Sequence, residues 1–511
     1  MANKNKRRGG GLSSAPISPS SASSSPANDV KHPDRQQQQR RRELTYKSAK
    51  RRLAIIDDLL KKCTYYNNNT ANNGQQLLDE HKDINQLLDE IMVIEKDIAI
   101  DLPKRLPEDW TAFEKWLKNV GDIDMSRVDI RWIDDKHGYG LFAKTSIGES
   151  EPFLEIPRKL MMSRETALTS DDDLATFIRE DLILQNMPNI AVALHVINEY
   201  CKPDSFWRPY LQCLPPVYET AIYLTDDDMN QLKGTQILDE VIKLKRSIAR
   251  QYAYFADKLL NNETATKLTI KKCFTYELYR WAVSTVMTRQ NAIPSGDGQS
   301  MTTALIPLWD MCNHKHGKLS TDYDLDADSV ICRAMMDFQS GEQIFIYYGP
   351  RSNGEFFIHN GFVYISDDNN CDNDFLPFKL GVSRNDGQYQ RKCDLYKRLN
   401  LNISGIYHLY SRHQPMDKRL LAFLRVFHLN QDELDHWLAS DNLTELFNSD
   451  CNDLMYLNEK IWQFLAIRCT LLLKAYPNPE SVAKYNTTTN NNNRNVEQLI
   501  KSEMNLLKSY V

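Results

Sequence analysis

The chain has 511 residues, 41% of them hydrophobic and 26% charged, which fits a soluble globular protein with one large or two medium domains. A formal net charge of −5 excludes nothing local, but it gives no global reason to expect nucleic acid or an anionic membrane as the main partner. The opening MANKNKRRGGG has no apolar leader core and no later run approaches the ~18 apolar residues of a membrane span, so an intracellular protein is expected.

Residues 1–43 are Ser, Pro, Gly, Gln and Arg with almost nothing apolar, and they are expected to be disordered because they cannot offset the entropy of ordering. The basic runs RQQQQRRR and KSAKRR read as solvated charge, although they also resemble a nuclear import signal or an RNA-contacting tail. Over 44–100 the spacing of Leu53, Ile56 and Leu60, then of Leu77, Ile84, Leu88 and Ile91, predicts two amphipathic helices separated by NNNTANNG. Pro103 and Pro107 interrupt that pattern, and FEKWLKNVG predicts a short helix closed by Gly121. Strand-like runs follow in VDIRWI, GLFAKT and PFLEIP. From about 163 to 290 the period is helical, as in NIAVALHVINEY and YELYRWAVSTVMTR, and strand signals return over 304–365 in ALIPLWD, DSVICRAMMDF and EQIFIYYG. Helical patterns dominate after about 385, and NTTTNNNNRN reads as a loose linker within 481–511 before a last short helix. The class is α+β: a β-rich region split by a long helical insert, then a helical domain. Ten scattered cysteines with no CxxC pair argue against a disulfide framework and against a four-cysteine zinc site.

Two short stretches carry chemistry. HGYGLFA, at 137–143, has glycines one residue apart, which suits a tight turn or a close backbone approach. CNHKH places Cys312, His314 and His316 at alternate positions, but the flanking WDMCNH lacks strand alternation, so a metal site is not expected. Asn313 and His314 instead follow the apolar ALIPLW, where the chain leaves the core and can present them to a polar ligand. On spacing alone Trp309 reads as core, Asn291 as a helix C-cap, Tyr347 and Tyr348 as packing residues and Arg351 as a turn charge.

The segments LIPLWDMCNH and SGEQIFIYYGPRSNGEFFIHNGF, with YRWAVSTVMTRQNAIP, resemble the signature segments of the SET-domain methyltransferases, in the branch typified by the plant Rubisco lysine methyltransferase. The resemblance implies a knotted SET domain over 101–365 with its insert at about 163–290, and an all-helical substrate-binding domain over 366–480. It implies S-adenosylmethionine as cofactor, bound by Arg105, His137, Gly138, Tyr139, Arg289, Asp310, Asn313, His314, Asn360 and Phe362; His137 departs from the acidic residue usual in the family. Within the branch the chain is similar to members that methylate a histidine of actin. That implies actin as the protein partner, catalysis by Tyr348, Asn291 and Trp309, and substrate contacts from Asn291, Trp309, Ile346 and Arg351. A monomer in the cytoplasm, with the nucleus as a second compartment, needing neither membrane nor nucleic acid, is the accompanying expectation. Two alternatives stay open: a lysine methyltransferase of the same fold, and a catalytically silent peptide-binding module.

A histidine target fits this chemistry. Methyl transfer from a sulfonium is an in-line displacement, so orientation is the main lever. An imidazole near pKa 6.5 is already mostly neutral at pH 7, whereas a lysine near 10.4 must first lose a proton.

Overall fold

A computed structural model describes residues 33–64, 74–134, 137–261, 267–365, 374–477 and 491–511. The chain forms two units, Met1–Arg51 and Arg52–Val511. The helix Pro33–Thr64 corrects the expectation of disorder over 33–43: proline pre-sets the first helical turn, and Gln and Arg are good helix formers. Residues 1–32 lie outside the described residues.

The second predicted helix is Gly74–Glu95, whose Leu78, Ile84, Leu88 and Ile91 are buried at helical spacing. It packs on the helix Leu238–Asn261, and Arg246 reaches its Glu80 at 2.8 Å. A buried polar knot fixes the same corner. Arg52 donates through Nε to Glu95 at 2.8 Å and through Nη2 to the Phe274 carbonyl at 2.5 Å, while the Tyr276 amide donates to Glu95 at 2.7 Å. Each charge is met by hydrogen bonds as well as by its counter-ion, as burial requires.

Among the described residues twelve strands form four small sheets. The first runs in the order β1 (Val128–Asp134), β2 (Gly138–Ala143), β10 (Gln343–Ile346), β7 (Asn313–His314). The second is β3 (Pro152–Pro157), β9 (Ser329–Arg333), β8 (Thr321–Asp324), and the third β4 (Met162–Ser163), β6 (Met301–Leu305), β5 (Gln290–Pro294). The strands at 128–157 and those at 290–346 interleave in these sheets, so the helices between them form an insert looped out from one β-rich body. Inside that insert the helix Pro188–Cys201 is buried at every position from Ile190 to Tyr200, which explains why NIAVALHVINEY is apolar nearly all round. It packs on the helix Tyr276–Arg289. Cys201, the last residue of the first helix, and Cys273, just before the second, are joined as a disulfide, a single bond that the scattered cysteines did not announce. Residues 72 apart in sequence become neighbours only through tertiary packing, which spacing does not report.

The C-terminal region is not all-helical. β11 (Phe375–Gly381) and β12 (Ser404–Tyr410) form an antiparallel pair in register from Phe375 opposite Tyr410 to Gly381 opposite Ser404. Leu376, Phe378 and Leu380 alternate inward against Tyr407 and Leu409, a period of two that lies within a mostly helical stretch. The last helix, Asn491–Lys508, begins inside the asparagine-rich run and buries Val496, Leu499, Ile500 and Leu507. Among the described residues no helix is long and apolar enough to cross a membrane.

That last helix buries Glu503, which accepts from the Tyr476 hydroxyl at 2.5 Å and from the Gln236 amide at 3.3 Å, with Asp374 as a nearby like charge. Burial pushes its carboxyl up to about 7. A raised carboxyl pKa means that the folded chain holds a proton the unfolded chain releases, so this contribution is present below the unfolded value and is lost as pH rises through about 7. Glu503→Gln should therefore flatten the decline in Tm between pH 5.5 and 8.5; scanning calorimetry across that range checks it, and an unchanged slope would contradict it.

Candidate functional site

The site begins where β7 and β10 run parallel, with Asn313 beside Phe345 and His314 beside Ile346. The chain enters it through Leu308, a fully buried residue held at φ 74°, ψ −50°. That left-handed, γ-turn-like conformation costs on the order of 1–3 kcal/mol and persists only where the surroundings enforce it. It turns the backbone so that Trp309 and Asp310 point inward.

The Asp310 side chain is fully buried. Its carboxylate accepts from the Tyr210 hydroxyl at 2.5 Å and pairs with Arg289 at 3.3 Å, while Arg289 Nη1 also donates to the Asp310 carbonyl at 2.7 Å. Burial alone would push the Arg289 guanidinium down, but Asp310, then Tyr218 and Tyr210, raise it well above its ordinary value. Arg289 closes the helix Tyr276–Arg289, where a cation also meets the negative end of the helix dipole. Its Nε is buried with no hydrogen-bond partner among the described residues.

Arg105 lies close by at φ 55°, a second strained non-glycine position. Its Nε donates to the Cys213 carbonyl at 2.9 Å, and its guanidinium lies 5.4 Å from the Tyr139 ring centroid and 5.9 Å from that of Trp110. Burial, then the Arg289 charge, lowers it to about 10. Two mutually repelling guanidiniums, only one of them paired with an acid, suit an anionic group such as a carboxylate.

β2 supplies the wall. A Cβ on Gly140 would stand 2.8 Å from Ile133 Cδ1, 3.0 Å from Gln343 Oε1 and 3.2 Å from Asn313 Nδ2, so the second glycine of HGYG serves a close approach of backbone to side chains. Asn313 donates through Nδ2 to Gln343 Oε1 at 2.7 Å. His314 is packed among rings: Phe356 at 4.7 Å, Tyr364 at 4.9 Å, Tyr348 at 5.1 Å and Phe362 at 6.3 Å between centroids. The Tyr348 amide donates to His314 Nδ1 at 3.2 Å, which places the ring proton on Nε2. Burial, then His316, lowers the ring to about 4, so it is neutral at pH 7.

The remaining expected residues fall in three places. Asn291 is not a helix cap: the helix ends at Arg289, and Asn291 lies on β5 opposite Ala304, its Nδ2 donating to the Arg289 carbonyl at 3.2 Å. Trp309 is 3% exposed and packs 6.4 Å from the Phe153 ring, so it belongs to the core as well as to the site's edge, and Ile346 is likewise buried. The Tyr348 hydroxyl donates to the Cys312 carbonyl at 2.7 Å, joining β10's end to the strand bearing Asn313. Arg351, expected in a peptide groove, donates to Asn360 Oδ1 at 2.6 Å and lines a narrow crevice with His316, Asn353, Phe356, Tyr364 and Asp374. Phe362 stacks on Phe356 at 4.9 Å. Gly138 takes φ 65° at the start of β2, and His137, at the exposed turn before it, turns its ring onto Asp134 at 2.8 Å.

Three contributors were not foreseen. Tyr210 and Tyr218 come from the insert, 100 residues from Asp310 in the first case, and nothing in sequence spacing links them to the site. Gln343, the third, had one local signal that was not used: it is the one polar side chain in QIFI, at the strand's start.

Comparison with known proteins agrees with this layout. A SET-domain family model matches residues 138–349, and a Rubisco LSMT substrate-binding model matches 383–507. Curated relatives include an actin-histidine N-methyltransferase of Gallus gallus, 41% identical over 403 residues, and one of Homo sapiens, 40% identical over 402; each alignment covers 78% of this chain and 66% of the relative. The chain thus spans a little under two thirds of the length of these relatives. Solved structures of similar fold include the SET domain of LSMT bound to lysine and AdoHcy, with a TM-score of 0.61 at 19% identity, covering 79% of this chain and 90% of that one. Rubisco LSMT bound to AdoMet gives a TM-score of 0.59 at 19% identity, covering 79% and 91%. With both domain models matched in order on one fold, the chain belongs to the SET-domain family, in the branch that joins a SET domain to a Rubisco LSMT-type substrate-binding domain.

Proposed function

We propose that the chain is a protein-histidine N-methyltransferase that uses S-adenosylmethionine and acts on a histidine of actin. The observation that carries the choice of histidine is the polarity of Asn291. Its NH2 is held by the Arg289 carbonyl, which leaves Oδ1 as the amide's acceptor. An imidazole N–H can donate to that oxygen, and the opposite ring nitrogen then keeps its lone pair for the methyl. A lysine ammonium gains no comparable control of geometry from a single amide.

The residues present fit the cofactor. Its carboxylate suits Arg289 and Arg105, its ammonium suits the acceptor oxygen of Asn313, and its adenine suits the aromatic set around His314 and Phe362. When bound, S-adenosylmethionine supplies a sulfonium methyl as electrophile. Tyr348 stays protonated, since burial raises its phenol, and with its hydroxyl fixed on the Cys312 carbonyl it orients rather than abstracts. A neutral imidazole needs no base for the attack: the N–C bond would form as the S–C bond breaks, leaving the thioether S-adenosylhomocysteine and a methylimidazolium whose N–H proton passes to solvent afterwards, and Trp309 gives the pocket a rigid aromatic edge. The similarity to relatives named actin-histidine N-methyltransferase supports actin as substrate, and the cytoplasm as its place of action belongs to the same proposal.

Mass spectrometry of actin incubated with the protein and S-adenosylmethionine should find one methyl on one histidine, lost when that histidine is changed to alanine. Methyl on lysine instead, or none on actin with the cofactor bound, would refute the reading. Asn291→Phe should lower histidine methylation ~100-fold, in keeping with lost orientation, while cofactor Kd measured by calorimetry stays within about 3-fold. Asn313→Ala should raise cofactor Kd at least ~10-fold, about 1.4 kcal/mol, in the same calorimeter; unchanged binding would remove Asn313 from the cofactor site.

A further inference from the structure

An asparagine amide has two nearly isosteric faces, and a ligand meets either an acceptor oxygen or a donor NH2 according to which way it is turned. At Asn313 the choice is made by Gln343. Its Oε1 takes the Nδ2 hydrogen at 2.7 Å, and no other side-chain hydrogen bond holds Gln343 among the described residues. The two amides come from different strands of one sheet: Asn313 is paired beside Phe345 on β10, and Gln343 stands opposite Phe142 on β2. β2 passes over both at a glycine, where an added Cβ would lie 3.0 Å from Gln343 Oε1 and 3.2 Å from Asn313 Nδ2. With Gln343 presenting Oε1 to it, the Asn313 NH2 is engaged and its Oδ1 is left as the acceptor.

We propose that Gln343 is a positioning residue that fixes the polarity of Asn313 and so sets the site's preference for a ligand bearing an ammonium group next to a carboxylate. This rests on the cofactor reading above. The chemistry is one-sided: an ammonium has three donors and no acceptor, so an Asn313 turned to present NH2 would repel it, while the carboxylate is taken by Arg289 and Arg105. Gln343 touches neither ligand nor methyl in this account and acts only through Asn313.

The test uses the full chain and calorimetry with two probes, S-adenosylhomocysteine and 5′-methylthioadenosine, the second lacking the whole amino-acid end. Gln343→Leu removes the acceptor, and Gln343→Glu keeps one at the same place. Expected are a loss of at least ~10-fold in S-adenosylhomocysteine affinity for Gln343→Leu, recovery to within about 3-fold of wild type for Gln343→Glu, and methylthioadenosine affinity within about 2-fold throughout. A merely structural role would weaken both probes together. Parallel loss of both probes, a Gln343→Glu as weak as Gln343→Leu, or a Gln343→Leu that binds like wild type would each overturn the assignment. Failure of the wild-type chain to bind S-adenosylhomocysteine would instead overturn the cofactor reading on which it stands.

Discussion

The buried pair Arg289–Asp310 is the constraint around which the site is arranged. Taking both charges out of water is unfavourable by several kcal/mol per ion unless geometry and additional hydrogen bonds compensate, and removing one partner alone leaves an uncompensated charge. Here the compensation is specific: Asp310 accepts from the Tyr210 hydroxyl, and Arg289 donates to the Asp310 carbonyl as well as pairing with its carboxylate. The pair therefore locks together three stretches distant in sequence, namely the insert at Tyr210, the end of the helix Tyr276–Arg289, and the turn after Leu308. Any fold of this chain that failed to bring them together would have to bury or hydrate an isolated ion.

From that centre the strain at Leu308 and Arg105 acquires a reason. A left-handed leucine and a left-handed arginine are unfavourable locally, yet each directs a side chain or turn toward the ion pair, and packing that leaves Leu308 fully buried holds the first of them in place. The outer scaffold is built in the same manner. Arg52 and Glu95 are satisfied by Phe274 and Tyr276 just before the helix that ends in Arg289, so the helical pair at the start of the second unit braces the element carrying the central cation.

What could be read from sequence follows from how local each signal is. The strands VDIRWI, PFLEIP and EQIFIYYG and the helices of the insert appeared where periodicity placed them, because burial of one face is written into spacing two or three to four residues wide. The hairpin β11–β12 was missed for the opposite reason: two seven-residue strands lie 22 residues apart inside a helical stretch, and FLPFKLG alternates too briefly to outweigh its surroundings. The helix from Pro33 was missed because composition without apolar residues says nothing against helix when Gln and Arg dominate. At the site, Asn313 and His314 stood out as polar residues following an apolar run and Tyr348 entered only through the family resemblance, while Tyr210, Tyr218 and the Cys201–Cys273 bond depend on tertiary neighbours with no local trace. Arg351 illustrates a further limit: its type and turn position were evident, while its partner, Asn360, became evident only once the π-helical turn Phe356–Asn360 set them 2.6 Å apart.

The polar groups of the site share one device, and it bears on the proposed chemistry. Asn291 and Asn313 each tie their NH2 to a protein acceptor, the Arg289 carbonyl in one case and Gln343 Oε1 in the other, so each is left with an oxygen able to accept. Around them the titratable groups are held in fixed states: His314 is neutral, Tyr348 protonated and Arg289 cationic at pH 7. A site that needed to move protons would keep a group poised near neutrality. This one holds its protons still and fixes which atoms accept, which suits a reaction limited by the angle at which a neutral lone pair meets an electrophilic carbon. The two amides differ in what they would orient, the nucleophile at Asn291 and the electrophile's carrier at Asn313, and both are anchored to Arg289 or to the sheet beside it. Their relative placement is therefore set by the same buried ion pair that organises the fold.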